Sequence, residues 1–468
     1  MEIGANSEIR LSFEQGTLLL EPPLDCFLGK DLELVYDARV KALRTEAYRY
    51  RQVIEHLMAT GFSYRDDARA YSKLADLVPR RSFSPYKHQD EALAAWKQAD
   101  MAGVVVLPTG SGKTYLAMMA MHECRRPTLV IVPTLDLVSQ WVRVIEGMYP
   151  IQAGIIGGGE FTTRDVTVIT YDSAVRHVEH LGSRFGLVVF DECHHLPGEM
   201  YSEIARMSLA PFRLGLTATP QRSDGGESIL DDLVGPIVFS SRVSSLAGNV
   251  LASYETKRIA VSLNPQEDGE YKAAREHYLG FCRQHGVRLG NAGGWTDFLR
   301  KTARSRAGRE AFAAYRKQRN IPLTCDAKFT VLAQLLRQHH QDRIIIFTHV
   351  NELAYRISRH YLIPVITHQT PTRERAKILD HFASGIYPAV VTSRVLNEGV
   401  DVPEANVAII MSGSGSIREH VQRLGRILRQ QEGKKAMLYE VVAEQTHEHG
   451  MSVRRTRHEA YRQRRGGK

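Results

Sequence analysis

Past residue 85 the chain settles into a rhythm of short apolar runs separated by amphipathic stretches. GVVVLP, TLVIVP, VTVITY, LVVFDE and RLGLTATP fall between residues 103 and 220. RIIIFTHV, PVITH, YPAVVTS, VAIIMSG and AMLYEVV repeat the rhythm between 343 and 442. Runs this short, rich in β-branched residues, predict strands buried on both faces. The stretches between them predict covering helices, so the fold class is α/β with two parallel-sheet domains, about 86–240 and 325–450. Between these, about 250–322, the pattern predicts a helical insertion rich in Arg, Tyr and Phe. Residues 1–80 read as a small mixed α+β unit. There LSFEQGTLLLEP supplies strand and turn pieces, and residues 37–61 read as a helix ending at Gly61. VPRRSFSP, 78–85, reads as a linker.

Composition narrows the class. The chain has 468 residues, 43% of them hydrophobic, enough for more than one core. No apolar run reaches the roughly 18 residues of a membrane span, and MEIGANSEIR lacks a signal-peptide pattern. The expectation is an intracellular protein. Cys26, Cys124, Cys193, Cys282 and Cys325 are dispersed, which argues against a zinc knuckle or an iron–sulfur cluster. The formal charge of +9 is unevenly distributed. Residues 1–80 carry a balance of −2, residues 241–330 one of +8, and the tail 452–468 one of +6. Two basic regions point toward a phosphate-backbone partner, although solvated charge explains them equally well in isolation.

The chemistry starts in GVVVLPTGSGKTYLAMMA, 103–120, which reads strand, glycine loop, helix. Gly110, Ser111 and Gly112 let the backbone wrap phosphates with its N–H groups. Lys113 supplies a point charge for the β/γ-phosphates, and Thr114 a hydroxyl for Mg²⁺. The following helix adds the positive end of its dipole. Leu107 stands where the general pattern has its first Gly, but residues 110–114 make the cradle. LVVFDECHH, 187–195, ends a strand in two acids. Asp191 is placed to hold Mg²⁺, and Glu192 to orient and deprotonate the attacking water. His194 is a candidate link to the next motif, GLTATP, with Thr217 and Thr219. A metal site at His194–His195 lacks a third ligand at suitable spacing. Gln89, in YKHQ ahead of the loop, is a candidate adenine reader. Gly157–Gly159 open no GxGxxG helix and read as a loop.

One segment complements this half. QRLGRILR, 422–429, stacks Arg423, Arg426 and Arg429 on one helix face. Alone, that is a solvated cationic face. Paired with a phosphate cradle, it supplies the missing cation for charge on the transferred phosphoryl group, worth about 10³–10⁵ in rate. Arg426 and Arg429 take that role, Gln422 positions water or senses the γ-phosphate, and Gly425 permits close approach. ATP would then bridge and close the two halves, and hydrolysis would open them.

LPTGSGKT, VPTLDLVSQW, ITYDS, DECHH, TATP, NEGVDVPEAN and QRLGRILR occur in the order of superfamily 2 helicase motifs and cover about 86–430. Finer features, APFRLGLTATP, IIIFTHVNELAYRIS and IIMSGSGSIREHVQRLGRILR, resemble the XPB family of DNA-repair helicases, in its compact archaeal and bacterial form. YDARVKALRTEAYRYRQVIE resembles that family's damage-recognition domain. The resemblance implies two RecA-like domains, a thumb-like insertion and ATP with Mg²⁺. It implies that Pro133, Thr134, Gln140, Thr170 and Tyr171 lie along nucleic acid in the first half. His349, Thr392 and Ser393 would do so in the second. Gly399 and Asp401 would approach the nucleotide. The family's Arg-Glu-Asp loop reads here Arg222-Ser223-Asp224, without the middle acid. His88 stands before Gln89 where Tyr is frequent, leaving a ring for adenine stacking.

The expected function is therefore ATP-dependent 3′–5′ DNA unwinding or remodelling in repair. A partner nuclease, a monomeric state and a cytoplasmic, nucleoid-associated location complete the expectation. The altered loop motivates a double-strand translocase with little strand separation. A DNA-binding scaffold with a dead ATPase is the reading from another class, opposed by intact Lys113, Asp191, Glu192, Arg426 and Arg429.

Overall fold

The computed structural model describes residues 8–21, 32–75, 77–218, 227–241, 253–290, 293–393, 405–412 and 435–449. The chain forms two compact units, divided near residue 246.

The first unit opens with a small sheet. Its strands are β1 (Ile9–Glu14), β2 (Thr17–Glu21), β3 (Val35–Asp37), β4 (Ala42–Glu46) and β5 (Tyr64–Asp66), ordered β3-β4-β2-β1-β5. Gln15 and Gly16, both at positive φ (46° and 82°), form the tight turn between β1 and β2. The helix expected over 37–61 is shorter, Tyr50–Thr60, although Gly61 does end it in the left-handed conformation. Residues 42–46 are a strand instead. Ala42, Leu43 and Thr45 are buried, and the Arg44 guanidinium meets Asp37 on the neighbouring β3 at 3.1 Å. Pairing with β2 outweighs the helix propensity of this stretch.

The large sheet of the first unit contains β6 (Ala102–Val106), β7 (Thr128–Val132), β8 (Gly154–Gly157), β9 (Glu160–Thr162), β10 (Val166–Thr170), β11 (Leu187–Asp191), β12 (Phe212–Thr217) and β13 (Ile237–Ser240). Their order is β13-β6-β12-β11-β7-β10-β8-β9. All pairs are parallel except the β8–β9 hairpin, whose turn uses Gly158 and Gly159 at positive φ. Separate apolar clusters cover the two faces, one around Trp96, Leu116 and Trp141, the other around Phe185, Phe190 and Ile204. β6, β11 and β12 are neighbours, so the segments leaving their carboxyl ends converge, where ligands bind in open α/β sheets. Arg213 ties the two sheets' domains together. It is buried, and its guanidinium donates to the carbonyls of Ala205, Ser208, Ala210 and Leu233 at 2.6–3.1 Å, beside the Tyr48 ring.

The second unit carries an all-parallel sheet of β14 (Ser253–Val261), β15 (Ile344–Phe347), β16 (Val365–Ile366), β17 (Ala389–Thr392), β18 (Val407–Ile410) and β19 (Lys435–Ala443). The order is β14-β19-β18-β15-β17-β16. The insertion expected over about 250–322 is therefore helical only from residue 265. Residues 253–261 pair with β19 over nine positions and belong to the sheet. Their polar, alternating sequence suits an edge strand, which is why it does not read as a buried run. Helices Pro265–Gln284, Gly294–Ala303 and Arg306–Thr324 form the insertion, the first opened by a reciprocal Asn264–Glu267 capping box. Its core is Tyr278, Phe281, Cys282, Val287, Phe298 and Ala311, so most of its aromatics are packing; Trp295 stays 43% exposed.

Helix Asp326–Gln338 places Lys328 under the sheet with no solvent exposure. Its ammonium donates to Glu448 Oε1 and Oε2, both at 2.8 Å, and to the Met411 carbonyl at 2.6 Å. Glu448 also accepts from the Ala443 amide at 3.0 Å.

Candidate nucleotide site and nucleic-acid interface

The phosphate loop follows β6 and opens the helix Lys113–Cys124. Gly110 and Gly112 hold φ of 85° and 86°, the left-handed turns that a close wrap needs. Leu107 lies wholly in the core, which accounts for an apolar residue where the general pattern has Gly. Ser111 is buried and directs its hydroxyl to the Pro108 carbonyl at 2.7 Å. The loop is braced from behind. Gln89 Nε2 donates to the Ser111 carbonyl at 3.1 Å, its Oε1 accepts from the Tyr86 amide at 2.9 Å, and His88 Nε2 donates to Ser111 O at 2.9 Å. Both ends of the Gln89 amide are thus engaged with protein here. His88 is buried, so it is not the exposed ring that the sequence suggested; Tyr86, stacked on it at 5.9 Å and 50% exposed, is.

A Cβ on residue 112 would collide with Gln89 Nε2. Gly112→Ala is therefore expected to weaken nucleotide binding about tenfold, by strain at positive φ and displacement of the brace. Titration with a fluorescent ADP analogue measures this; affinity within twofold of wild type contradicts the loop geometry.

Opposite the loop, β11 ends in Asp191, and Glu192 follows at φ 48°, a strained position for a residue with a side chain. Lys113 Nζ meets Glu192 Oε1 at 3.1 Å, with both side chains 11% exposed. Asp191 is buried, Oδ1 accepting from the Glu192 amide at 3.0 Å and Oδ2 from the Trp141 indole at 2.8 Å. Burial, then the neighbouring Glu192 charge, push the Asp191 carboxyl up to about 6, against the pull of Lys113 and the indole. His194 Nδ1 lies 3.1 Å from Thr217 Oγ1 and 3.4 Å from Glu192 Oε2, joining the acidic strand end to the Thr217 motif. The buried carboxylate beside the Thr114 hydroxyl's loop has the hard oxygen donors and the need for positive charge that suit Mg²⁺.

The residues expected along nucleic acid divide by exposure. Thr134 and Thr170 are N-caps, their hydroxyls accepting from the Leu137 and Ser173 amides, each at 3.3 Å. They present the starts of helices Leu135–Met148 and Tyr171–Leu181, with Pro133 and Gln140 half-buried nearby. Tyr171 is different. It is buried in the core, and its hydroxyl donates to the Asp191 carbonyl at 3.1 Å. In the second unit the His349 amide donates to Ser412 Oγ at 2.7 Å. Thr392 and Ser393, at the end of β17, are buried, with the Thr392 hydroxyl on the Ser393 carbonyl at 3.0 Å. Gln422, Arg423, Arg426, Arg429, Gly399, Asp401 and Arg222-Ser223-Asp224 lie outside the described residues. Sequence reasoning missed Trp141. It sits in the apolar stripe Leu137, Val138, Trp141, Ile145 and Met148; the one available signal was an indole N–H in a core position, which needs a partner.

Residues 11–68 match the Xeroderma pigmentosum group B helicase damage recognition domain, 82–222 the type III restriction enzyme res subunit, and 309–460 the ERCC3/RAD25/XPB C-terminal helicase. The DNA 3'-5' translocase XPB2 of Sulfurisphaera tokodaii is 39% identical over 90% of this chain and 95% of that protein. The chain belongs to the XPB helicase family. Other XPB relatives are longer. The DNA 3'-5' helicase XPB of Mycobacterium tuberculosis is 30% identical over 73% of this chain but 58% of its own length. The helicase domain of Pyrococcus furiosus Hef, 19% identical, shares the fold with a TM-score of 0.52 over 79% of this chain and 97% of that one. XPB membership accounts for the order of the motifs and for the small N-terminal sheet. Among the described residues no helix is long and apolar enough to cross a membrane.

Proposed function

We infer that this protein is an XPB-type, DNA-dependent ATPase that moves 3′ to 5′ along DNA and opens or remodels duplexes in repair. The observation that carries it is the buried meeting of Lys113, Glu192 and Asp191 at the mouth of a phosphate loop, in a chain of this family. ATP is the nucleotide and Mg²⁺ the metal. Asp191 and the Thr114 hydroxyl would hold the ion, which supplies charge neutralisation at the phosphates. The backbone from Gly110 to Gly112 and the Lys113 ammonium receive the phosphates. Lys113 exchanges Glu192 for phosphate oxygen, and this frees Glu192 to take a proton from the attacking water. Arg426, Arg429 and Gln422 are assigned the transition-state and water-positioning roles, and Gly399 and Asp401 nucleotide contacts. The helix starts at Thr134 and Thr170 suit phosphate oxygens, which position a strand without reading its bases. A partner nuclease and a monomeric, cytoplasmic enzyme complete the reading.

Strand separation and translocation without it are distinct outcomes. The missing acid in Arg222-Ser223-Asp224 favours motion on duplex with little separation, and a 39% identical relative is named a DNA 3'-5' translocase. ATP hydrolysis is to be measured without nucleic acid and with single-stranded, duplex and forked DNA and RNA, alongside strand displacement from a fork. Stimulation by duplex DNA with weak displacement is expected. Robust displacement contradicts the translocase preference, and stronger stimulation by RNA contradicts the DNA assignment.

A further inference from the structure

Asp191 is held by two residues that no motif role assigns to it. Trp141 donates its indole N–H to Oδ2 at 2.8 Å, and Tyr171 donates its hydroxyl to the main-chain carbonyl at 3.1 Å. Both donors are buried, and each comes from a different helix. Those two helices are the ones whose starts, capped by Thr134 and Thr170, are assigned above to the nucleic-acid strand. Trp141 lies seven residues, close to two turns, beyond the Thr134 cap, so a shift of the helix start is carried to the indole by a rigid rod. A carboxylate takes such hydrogen bonds strongly, and in a water-excluded setting their geometry fixes which lone pairs remain for a cation.

We propose that Trp141 is a positioning residue for the reaction: its indole sets the Asp191 carboxylate for the metal–nucleotide complex and transmits strand binding to it, with Tyr171 steadying the same residue from the main-chain side. The proposal rests on the DNA-dependent ATPase reading. It makes the helix Leu135–Met148 a lever with a nucleic-acid end and a catalytic end. It also gives the buried Tyr171 a use other than the strand contact expected of it.

The test uses the full chain with Trp141→Phe, which keeps an aromatic ring and removes the donor, and Tyr171→Phe, which removes one hydroxyl. Three quantities are read: Mn²⁺ binding in the presence of ADP by electron paramagnetic resonance, DNA affinity by anisotropy, and the ratio of hydrolysis rates with and without DNA. For Trp141→Phe, a loss of Mn²⁺ affinity of about tenfold is expected from one charge-assisted hydrogen bond. The DNA stimulation ratio should fall at least about fivefold, with DNA affinity within about twofold of wild type; Tyr171→Phe should move the same two readouts less. Unchanged Mn²⁺ affinity and stimulation in Trp141→Phe, whatever its melting temperature, overturns the proposal and leaves the indole a packing group.

A second measurement needs no substitution at Trp141. The chain has three tryptophans, Trp96, Trp141 and Trp295, of which only Trp295 is exposed. In wild-type protein labelled with 5-fluorotryptophan, one of the two buried ¹⁹F resonances should move when Mg²⁺–ADP binds, and again when DNA binds. If neither moves, the proposal fails. A wild type whose hydrolysis ignores DNA overturns the functional reading as well; a DNA-stimulated wild type with unaffected variants overturns only this inference.

Discussion

Replacing Glu192 with Gln is expected to lower ATP hydrolysis by about 10²–10⁴-fold, the usual contribution of a positioned general base. Gln keeps the shape and cannot accept the proton. It also removes the ion pair with Lys113 at 3.1 Å, which leaves the ammonium free for phosphate. Nucleotide affinity in Glu192→Gln should therefore hold or improve while turnover collapses, a split between KM and kcat that a misfolded site does not give. Lys113→Ala should lose both. Steady-state hydrolysis and fluorescent-nucleotide binding on the same preparations check this, and a variant that keeps more than a tenth of wild-type turnover contradicts the role given to Glu192. The pH dependence follows from the neighbour. Asp191 titrates at about 6, above the ordinary carboxylate range, because it is buried beside Glu192. Below that pH it is protonated and a poor metal ligand. kcat/KM, which reports the free enzyme, should fall about tenfold per unit as pH drops below about 6. For stability the sign is opposite: a raised carboxyl pKa favours the folded state as pH falls from about 6 toward the ordinary 3.8, and holding the charge costs stability above 6.

The second large effect is expected in the core of the second unit. Lys328→Met should destabilise the second unit by about 3–5 kcal/mol, the cost of orphaning one member of a buried pair. All three ammonium protons are used, two on Glu448 and one on the Met411 carbonyl. Without them the Glu448 carboxylate loses its buried ammonium partner and keeps the Ala443 amide. Combining Lys328→Met with Glu448→Gln removes the stranded charge and should recover at least about half the loss. Chemical denaturation of the three proteins gives the answer. Equal stability of the single and double variants would mean that the carboxylate finds another cation.

The sheets were legible because their strands are runs such as GVVVLP and LVVFDE, apolar on both faces and ended by chemistry. The phosphate loop, the acid pair and the order of motifs were legible for the same reason, since each stands at a strand's carboxyl end. What stayed hidden depended on pairing. Residues 42–46 look helical until β2 is beside them, and residues 253–261 look like part of a basic insertion until β19 is beside them. Where the site side chains point depended on packing too. Tyr171 belongs to the motif ITYDS, but a motif does not say which way a ring turns; here it turns inward to the Asp191 carbonyl. Gln89 and His88 read as nucleotide contacts because they precede the loop; packing adds that both also reach its Ser111 carbonyl.

The β14–β19 pairing also has a consequence for how the protein is made. β14 leaves the ribosome early in its unit, and its sheet partner begins at residue 435, more than 170 residues later. β19 in turn joins β18 on its other side. Until that strand emerges, β14 lacks its partner among the described strands, and Lys328 waits for Glu448 as well. The first unit can complete its sheets during translation, and β15 to β18 can pair among themselves, but β19 can join β14 to them only once it is made, through contacts of long sequence separation that form slowly. A nascent chain stalled before residue 435 therefore carries a finished front half and an open edge strand, the state in which such a chain is most exposed to aggregation and proteolysis.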